Sequence, residues 1–191
     1  YIERNIEMTQ EAYGLNRIEI RPFPTGGTLT QQDIEDNSAT IDNIRLWDHR
    51  PLRDTYNQIQ FLRPYYQFVD VDVDRYTIDG VKRQVMLAAR ELAAENLPIE
   101  AQSWVAQRLQ YTHGYGVAMS PANSFTPGEG GPEFLIKDIP IRGEIPINQP
   151  ELYYGESPVS FALVNSSAPE IDPSGGDMHY DGAGGGDLGS T

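Results

Sequence analysis

The chain contains no cysteine. That excludes thiol catalysis, Cys-ligated zinc, iron–sulfur clusters and disulfides. Basic residues are scarce: 14 Lys and Arg stand against 28 Asp and Glu, giving a net charge of −14 over 191 residues. Nucleic-acid binding needs clustered Lys and Arg, so no nucleic-acid partner is expected. Adhesion to anionic lipid is disfavoured for the same reason. The balance leaves cations and basic partners open, and it also serves plain solubility. No apolar run approaches the roughly 18 to 20 residues of a membrane span, and no signal-peptide pattern is present. This segment is therefore expected to make no membrane contact of its own. The chain opens at Tyr1 without Met, which reads as a piece of a longer protein.

What is present suggests an α+β domain with a mostly antiparallel sheet, several helices packed on it and a flexible Gly/Ser/Asp-rich C-terminal tail. Tyr1 to Tyr13 predicts a helix with Ile2, Ile6 and Tyr13 on one stripe, stopped by Gly14. Ile18 and Ile20 alternate with Glu19 and Arg21 as in a short strand. Thr30 is placed to cap a short acidic helix ending near Asp36. Pro51 opens a helix that buries Leu52, Tyr56, Ile59 and Leu62. Asp79-Gly80 is a hairpin signal pairing about 71–78 with 81–88. Its apolar parity is imperfect, which predicts a bulge. Pro98 opens a helix with Ala101, Trp104, Val105 and Leu109 on one face. Strands are expected at 117–119, 134–136, 152–154 and 159–164. Residues 1–165 read as one domain and 166–191 as the tail, too poor in apolar residues to order itself.

Three constellations invite chemistry. Asp70, Asp72 and Asp74 alternate with Val69, Val71 and Val73, so a strand would set three carboxylates on one face. Such a face could recruit calcium. An EF-hand loop is absent, since counting from Asp70 its glycine position holds Arg75 and its final glutamate position holds Val81. The plainer reading is a solvated strand face balanced by Arg75, Lys82 and Arg83. Next, His113 sits between Tyr111 and Tyr115 at a helix end. It is a candidate acid or base if the fold brings a carboxylate to it, and otherwise a helix-capping residue. Ser120 lies near it but lacks the G-x-S-x-G setting of a hydrolase nucleophile. His49 and His179 lie too far from it in sequence to form a metal-ligand spacing. Tyr111, His113 and Tyr115 together are also a candidate binding surface. Lastly, Gly182 and Gly184 to Gly186 superficially suggest a phosphate loop, but no Lys-Ser/Thr follows. Arg90-Glu91 follows an apolar run, where Arg often pairs with a carboxylate to lock a loop. No cofactor is predicted, calcium being the one candidate ion.

Several blocks occur together and in order: Tyr1-Ile-Glu-Arg-Asn-Ile6, Asn43-Ile-Arg-Leu-Trp-Asp48, Arg63-Pro-Tyr-Tyr66, Val71-Asp-Val-Asp-Arg-Tyr76, Arg83-Gln-Val-Met86, Tyr111-Thr-His-Gly-Tyr-Gly116, Glu133-Phe134 and Lys137-Asp-Ile-Pro140. They resemble uncharacterised protein family 0182, large bacterial integral membrane proteins, over residues 1 to about 165. The resemblance implies several N-terminal membrane helices followed by a large extracytoplasmic region, of which this chain is a piece. It carries over no catalytic residue, because the family has no agreed reaction. The expected function is a non-catalytic extracytoplasmic binding or assembly domain. Its partners would be other parts of the full-length membrane protein or another envelope component. The alternatives are an envelope-acting enzyme using His113 with a carboxylate, or a divalent-cation-binding domain on Asp70, Asp72 and Asp74.

Overall fold

The structure, a computed structural model, describes residues 1–22, 26–157 and 161–186. The chain forms two compact units, Tyr1–Asn37 and Ser38–Thr191. In the first, α1 spans Ile2–Ala12, and Gly14 ends it with φ at +66°. A single 3₁₀ turn follows at Leu15–Arg17, and Ile18 and Ile20 lie in irregular backbone, not the strand expected of them. Helix α2, Gln31–Asp36, begins in a capping box. The Thr30 hydroxyl accepts from the Asp33 amide, and the Asp33 carboxylate accepts from the Thr30 amide. None of the described residues of this unit is buried.

The second unit is α+β. Its helices are α3, Ser38–Ile41, and α4, His49–Ile59, the latter capped by Asp48 accepting from the Arg50 amide. Its strands are β1 (Tyr66–Phe68), β2 (Asp72–Ile78), β3 (Val81–Leu92), β4 (Gly114–Tyr115), β5 (Val117–Pro121), β6 (Ile136–Lys137), β7 (Arg142–Gly143), β8 (Glu151–Leu152), β9 (Glu170–Ile171) and β10 (Asp177–Met178). Every pairing is antiparallel. The long strand β3 organises the main sheet. Strands β2 and β1 lie end to end along one flank, and β5, β6 and β7 follow on the other.

The β2–β3 hairpin turns at Asp79 and Gly80, both at positive φ (51° and 78°), as a type I′ turn requires. Its register runs one to one from Ile78↔Val81 to Asp72↔Leu87, so the expected bulge is absent. The imperfect parity has another cause. Val73 packs on one face of the sheet and Ile78 on the other, and both faces are covered. The helix expected from Pro98 is also different. A 3₁₀ turn, Ile99–Ala101, and a π-type turn, Ala106–Gln110, are separated where Ser103 accepts from the Ala106 amide. Trp104 and Val105 are exposed there. Residues 159 and 160 of the strand expected at 159–164 lie outside the described residues, and 161–164 carry no strand. Among the described residues no helix is long and apolar enough to cross a membrane.

Leu52 and Tyr56 of α4 pack on Phe68, Met86, Ala88 and Ala118, forming the core on one face of the sheet. Val85, Met119, Leu135 and Ile136 fill the other face. The buried Tyr56 hydroxyl donates to the Met86 carbonyl at 3.2 Å and lies 2.6 Å from Ser120 Oγ. Tyr66 is buried in a third cluster with Leu92, Leu97 and Tyr115. Burial pushes both phenols, Tyr56 and Tyr66, well above the ordinary tyrosine value of 10. The neutral phenol is the form the fold prefers, so its contribution is complete below pH 10 and is lost as pH rises beyond it. The urea midpoint is therefore expected to fall once pH passes 10. A midpoint that stays level across that range would contradict the burial of these hydroxyls.

Candidate functional site

A cleft of about 660 Å³ opens in the second unit. Its walls come from the end of β3, the Thr112-His113-Gly114 turn into β4, the chain leaving β8, and the segment after β10. The turn can lie this close to β3 because Gly114 has no side chain. A Cβ there would meet the Arg90 carbonyl oxygen and sit 2.9 Å from Glu91 Cα. Strand β4 then pairs with β8, Gly114↔Leu152 and Tyr115↔Glu151, which brings Tyr153 and Tyr154 to the opening.

Two carboxylates brace the walls. Glu170, at the start of β9, is buried and accepts from the Thr112 hydroxyl (2.5 Å), the Tyr153 hydroxyl (2.8 Å) and the Tyr180 amide (3.0 Å). Glu91, near the end of β3, accepts from the Glu156 and Ser157 amides, both at 2.7 Å. Gly155 lets that loop approach, since a Cβ there would lie 2.6 Å from the Glu91 carboxylate oxygens. Rings continue the lining: His113 stands 4.9 Å from Tyr153, and Tyr153 stands 4.7 Å from Tyr180, edge to face. Burial, together with Glu170, Glu151 and Asp181, pushes the Tyr153 hydroxyl well above the ordinary range. Burial alone would raise Asp172. Hydrogen bonds from the Ser174 hydroxyl, the Ser174 amide and the Gly176 amide, with the nearby His113, outweigh it and hold this carboxyl below its usual range.

Of the three residues expected to form a binding surface, only His113 lines the cleft. Tyr115 is buried in the core beside Leu92, and Tyr111 is half-buried with its ring edge-on to Tyr65 at 5.2 Å. His113 itself is 3% exposed. Its Nδ1–H donates to the Gly114 carbonyl at 2.8 Å, while Nε2 is enclosed without a hydrogen-bond partner. The imidazole is thus bonded only to backbone. Ser120 is buried against Tyr56, away from any nucleophilic setting. Asp70, Asp72 and Asp74 are exposed, and two of them bond to neighbouring amides, Asp70 to Val71 and Asp74 to Arg75. Among the described residues no group of three or more His, Asp and Glu is placed to hold a metal ion.

Sequence reasoning missed Glu170 and Tyr180 because both fall in the stretch read as a tail. That stretch instead carries β9, β10 and the buried Glu170, and its Met178 packs on the cluster around Tyr115. Arg90 was expected to pair with a carboxylate and lock a loop, but the loop is held by its neighbour. Glu91 holds 156–157, while Arg90 Nη1 donates to the Tyr115 carbonyl (3.0 Å) and Nη2 to Gln60 Oε1 (3.2 Å).

The chain is similar to much longer proteins. It is 52% identical over 191 residues to a UPF0182 protein of Pelotomaculum thermopropionicum, covering 97% of this chain and 21% of the relative. It is 52% identical over 179 residues to one from Desulforamulus reducens, covering 93% of this chain and 19% of that protein. A third, from Methanospirillum hungatei, is 45% identical over 195 residues, covering 98% of the chain and 22% of the relative. The chain therefore spans about a fifth of the length of these curated relatives. No solved structure matches it. The model of Uncharacterised protein family (UPF0182) matches residues 1–191, and the chain belongs to that family.

Proposed function

We propose that this chain is a non-catalytic assembly domain of a multi-spanning membrane protein, placed outside the cytoplasm, with its N-terminal unit docking on another part of the same protein. The observation that carries this reading is α1. It is an eleven-residue helix with no buried residue, and its apolar side chains stand in solvent: Ile2 is 78% exposed, Ile6 53% and Met8 66%. An isolated helix of this length is marginal in water, and helices gain most of their stability by packing an apolar face. The relatives are about five times longer, so a covering surface has ample chain to come from. The committed hydrogen bonds of His113 and Ser120 favour a binding role over a catalytic one.

The cysteine-free sequence makes the test clean. Ile6→Cys is placed in the 191-residue chain and in a full-length protein stripped of other cysteines. Maleimide is expected to label the short chain quickly and the full-length protein at least about tenfold more slowly, as burial of an apolar side chain implies. Equal rates in the two would defeat the docking reading. The placement has its own check: Asp74→Cys, on the exposed strand, should react with a membrane-impermeant maleimide in intact cells. Labelling only after the cells are broken would reverse the assigned side.

A further inference from the structure

We propose that the cleft of the second unit binds an organic ammonium ion, held on tyrosine ring faces within the field of carboxylates set just behind them. The cleft volume, about 660 Å³, falls in the range of small-molecule sites. Its walls are aromatic: Tyr153, Tyr154, Tyr180 and Phe161 line it with His113. Aromatic faces attract cations within about 6 Å of the ring centroid, more strongly when water is excluded. One wall already displays this chemistry, for Arg108 Cζ sits 4.3 Å from the Phe161 ring centroid.

The charges around the cleft have one dominant sign. Glu91 lines it, Glu170 lies one hydrogen bond behind Tyr153, and Glu151 and Asp181 are close enough to act on the Tyr153 hydroxyl. Asp172 stands near His113. Among the described residues that line the cleft none is Lys or Arg, and Arg108 is engaged with the Phe161 ring. An anionic ligand is thereby disfavoured, and a neutral one gains nothing from the field.

The kind of cation follows from how the carboxylates are used. Glu170 accepts three hydrogen bonds and Glu91 two, all from the protein. Their oxygens are occupied, yet their charge remains. Calcium requires about six to eight oxygen ligands, which this arrangement does not offer. A bulky, weakly hydrated ammonium needs no oxygen ligand. It needs aromatic rings and a negative field, and the cleft is lined by Tyr153, Tyr154 and Tyr180 with Glu91 beside them. Gly182 and Gly184 complete the lining, lying close against the Tyr180 and Tyr154 rings.

The test is a titration of the 191-residue chain, following tyrosine ring resonances, with choline, with 1,5-diaminopentane, and with 3,3-dimethylbutanol, the uncharged isostere of choline. Saturable binding of either amine is expected, with the isostere at least about tenfold weaker than choline if choline binds. Preference for choline assigns a quaternary ammonium, and preference for the diamine a primary one. Tyr154→Leu removes a ring that is 65% exposed, so its thermal melt should match the parent while amine binding weakens. Three outcomes would overturn the proposal: no saturable response to either amine, choline binding no tighter than its isostere where both bind, or unchanged affinity in the folded Tyr154→Leu variant. The titration does not involve α1, so its failure would leave the docking of the N-terminal unit untouched.

Discussion

Gly114→Ala is expected to disrupt the second unit outright. The added Cβ would run into the Arg90 carbonyl oxygen on one side and lie 2.9 Å from Glu91 Cα on the other. Both are backbone atoms of the central strand, so neither can swing aside as a side chain would. Overpacking ordinarily costs about 1–3 kcal/mol, and a clash against two backbone groups belongs at or above the top of that range, roughly 3 kcal/mol. The effect is one of space alone, because Gly114 does not adopt positive φ. Gly80→Ala is the matched control. Gly80 sits at φ +78° with nothing within 4 Å of a Cβ, so its cost is the turn conformation only, about 1 kcal/mol. Urea denaturation of both variants would read the difference. Comparable midpoints would mean that β4 does not approach β3 as closely as described.

The second large effect is expected at Arg90, which is 1% exposed and, among the described residues, forms no ion pair. Burial pulls its guanidinium down to about 10, opposed chiefly by the nearby Asp138 carboxylate, so it remains a cation at neutral pH. It joins the end of α4, through Gln60, to the carbonyl of Tyr115 in β4, and it lies 5.0 Å from the Phe68 ring centroid. Gln60 Oε1 also accepts from the Asp138 amide at 2.7 Å, so one strut ties three segments together. Arg90→Ala leaves a cavity and strands the Tyr115 carbonyl, an expected loss on the order of 3 kcal/mol. Arg90→Met keeps most of the volume and removes a buried Nε that has no partner. It should cost less than half as much, since apolar replacement of a buried charge is often tolerated. If Arg90→Ala stays within about 1 kcal/mol of the parent, the strut has no energetic weight.

These two residues also show where the sequence could be read and where it could not. The Asp79-Gly80 turn, the Thr30 cap and the burial of Leu52 and Tyr56 on α4 rest on residues within four positions of one another, and each was legible, although Ile59, expected on the same buried face, is 48% exposed and Leu62 lies beyond the helix, only half-buried. Arg90 and Gly114 act across the fold. Glu170 meets Thr112 from 58 positions away, and Glu91 meets Glu156 from 65. No local pattern encodes such a meeting, and a single carboxylate among Ser, Pro and Gly carries no periodic signal. The Pro98 segment misled for the opposite reason. Its apolar spacing suits a helix, but Trp104 and Val105 find no core to face, and the chain breaks into short turns. Ile18 and Ile20 alternate as a strand would, and the described residues of their unit offer no second strand to pair with.

The aspartates of β2 have a consequence apart from any ion. That strand pairs only with β3, so among the described residues its outer side is an open ladder of backbone donors and acceptors, the kind of rail on which cross-β aggregates grow. Asp72, Asp74 and Arg75 stand along it in solvent, and the Asp74 carboxylate occupies the Arg75 amide. A second copy approaching edge to edge would bring acid against acid and would have to strip water from both rows. The same residues that suggested a place to gather calcium therefore give the sheet a self-repelling border, which keeps it from recruiting its own kind.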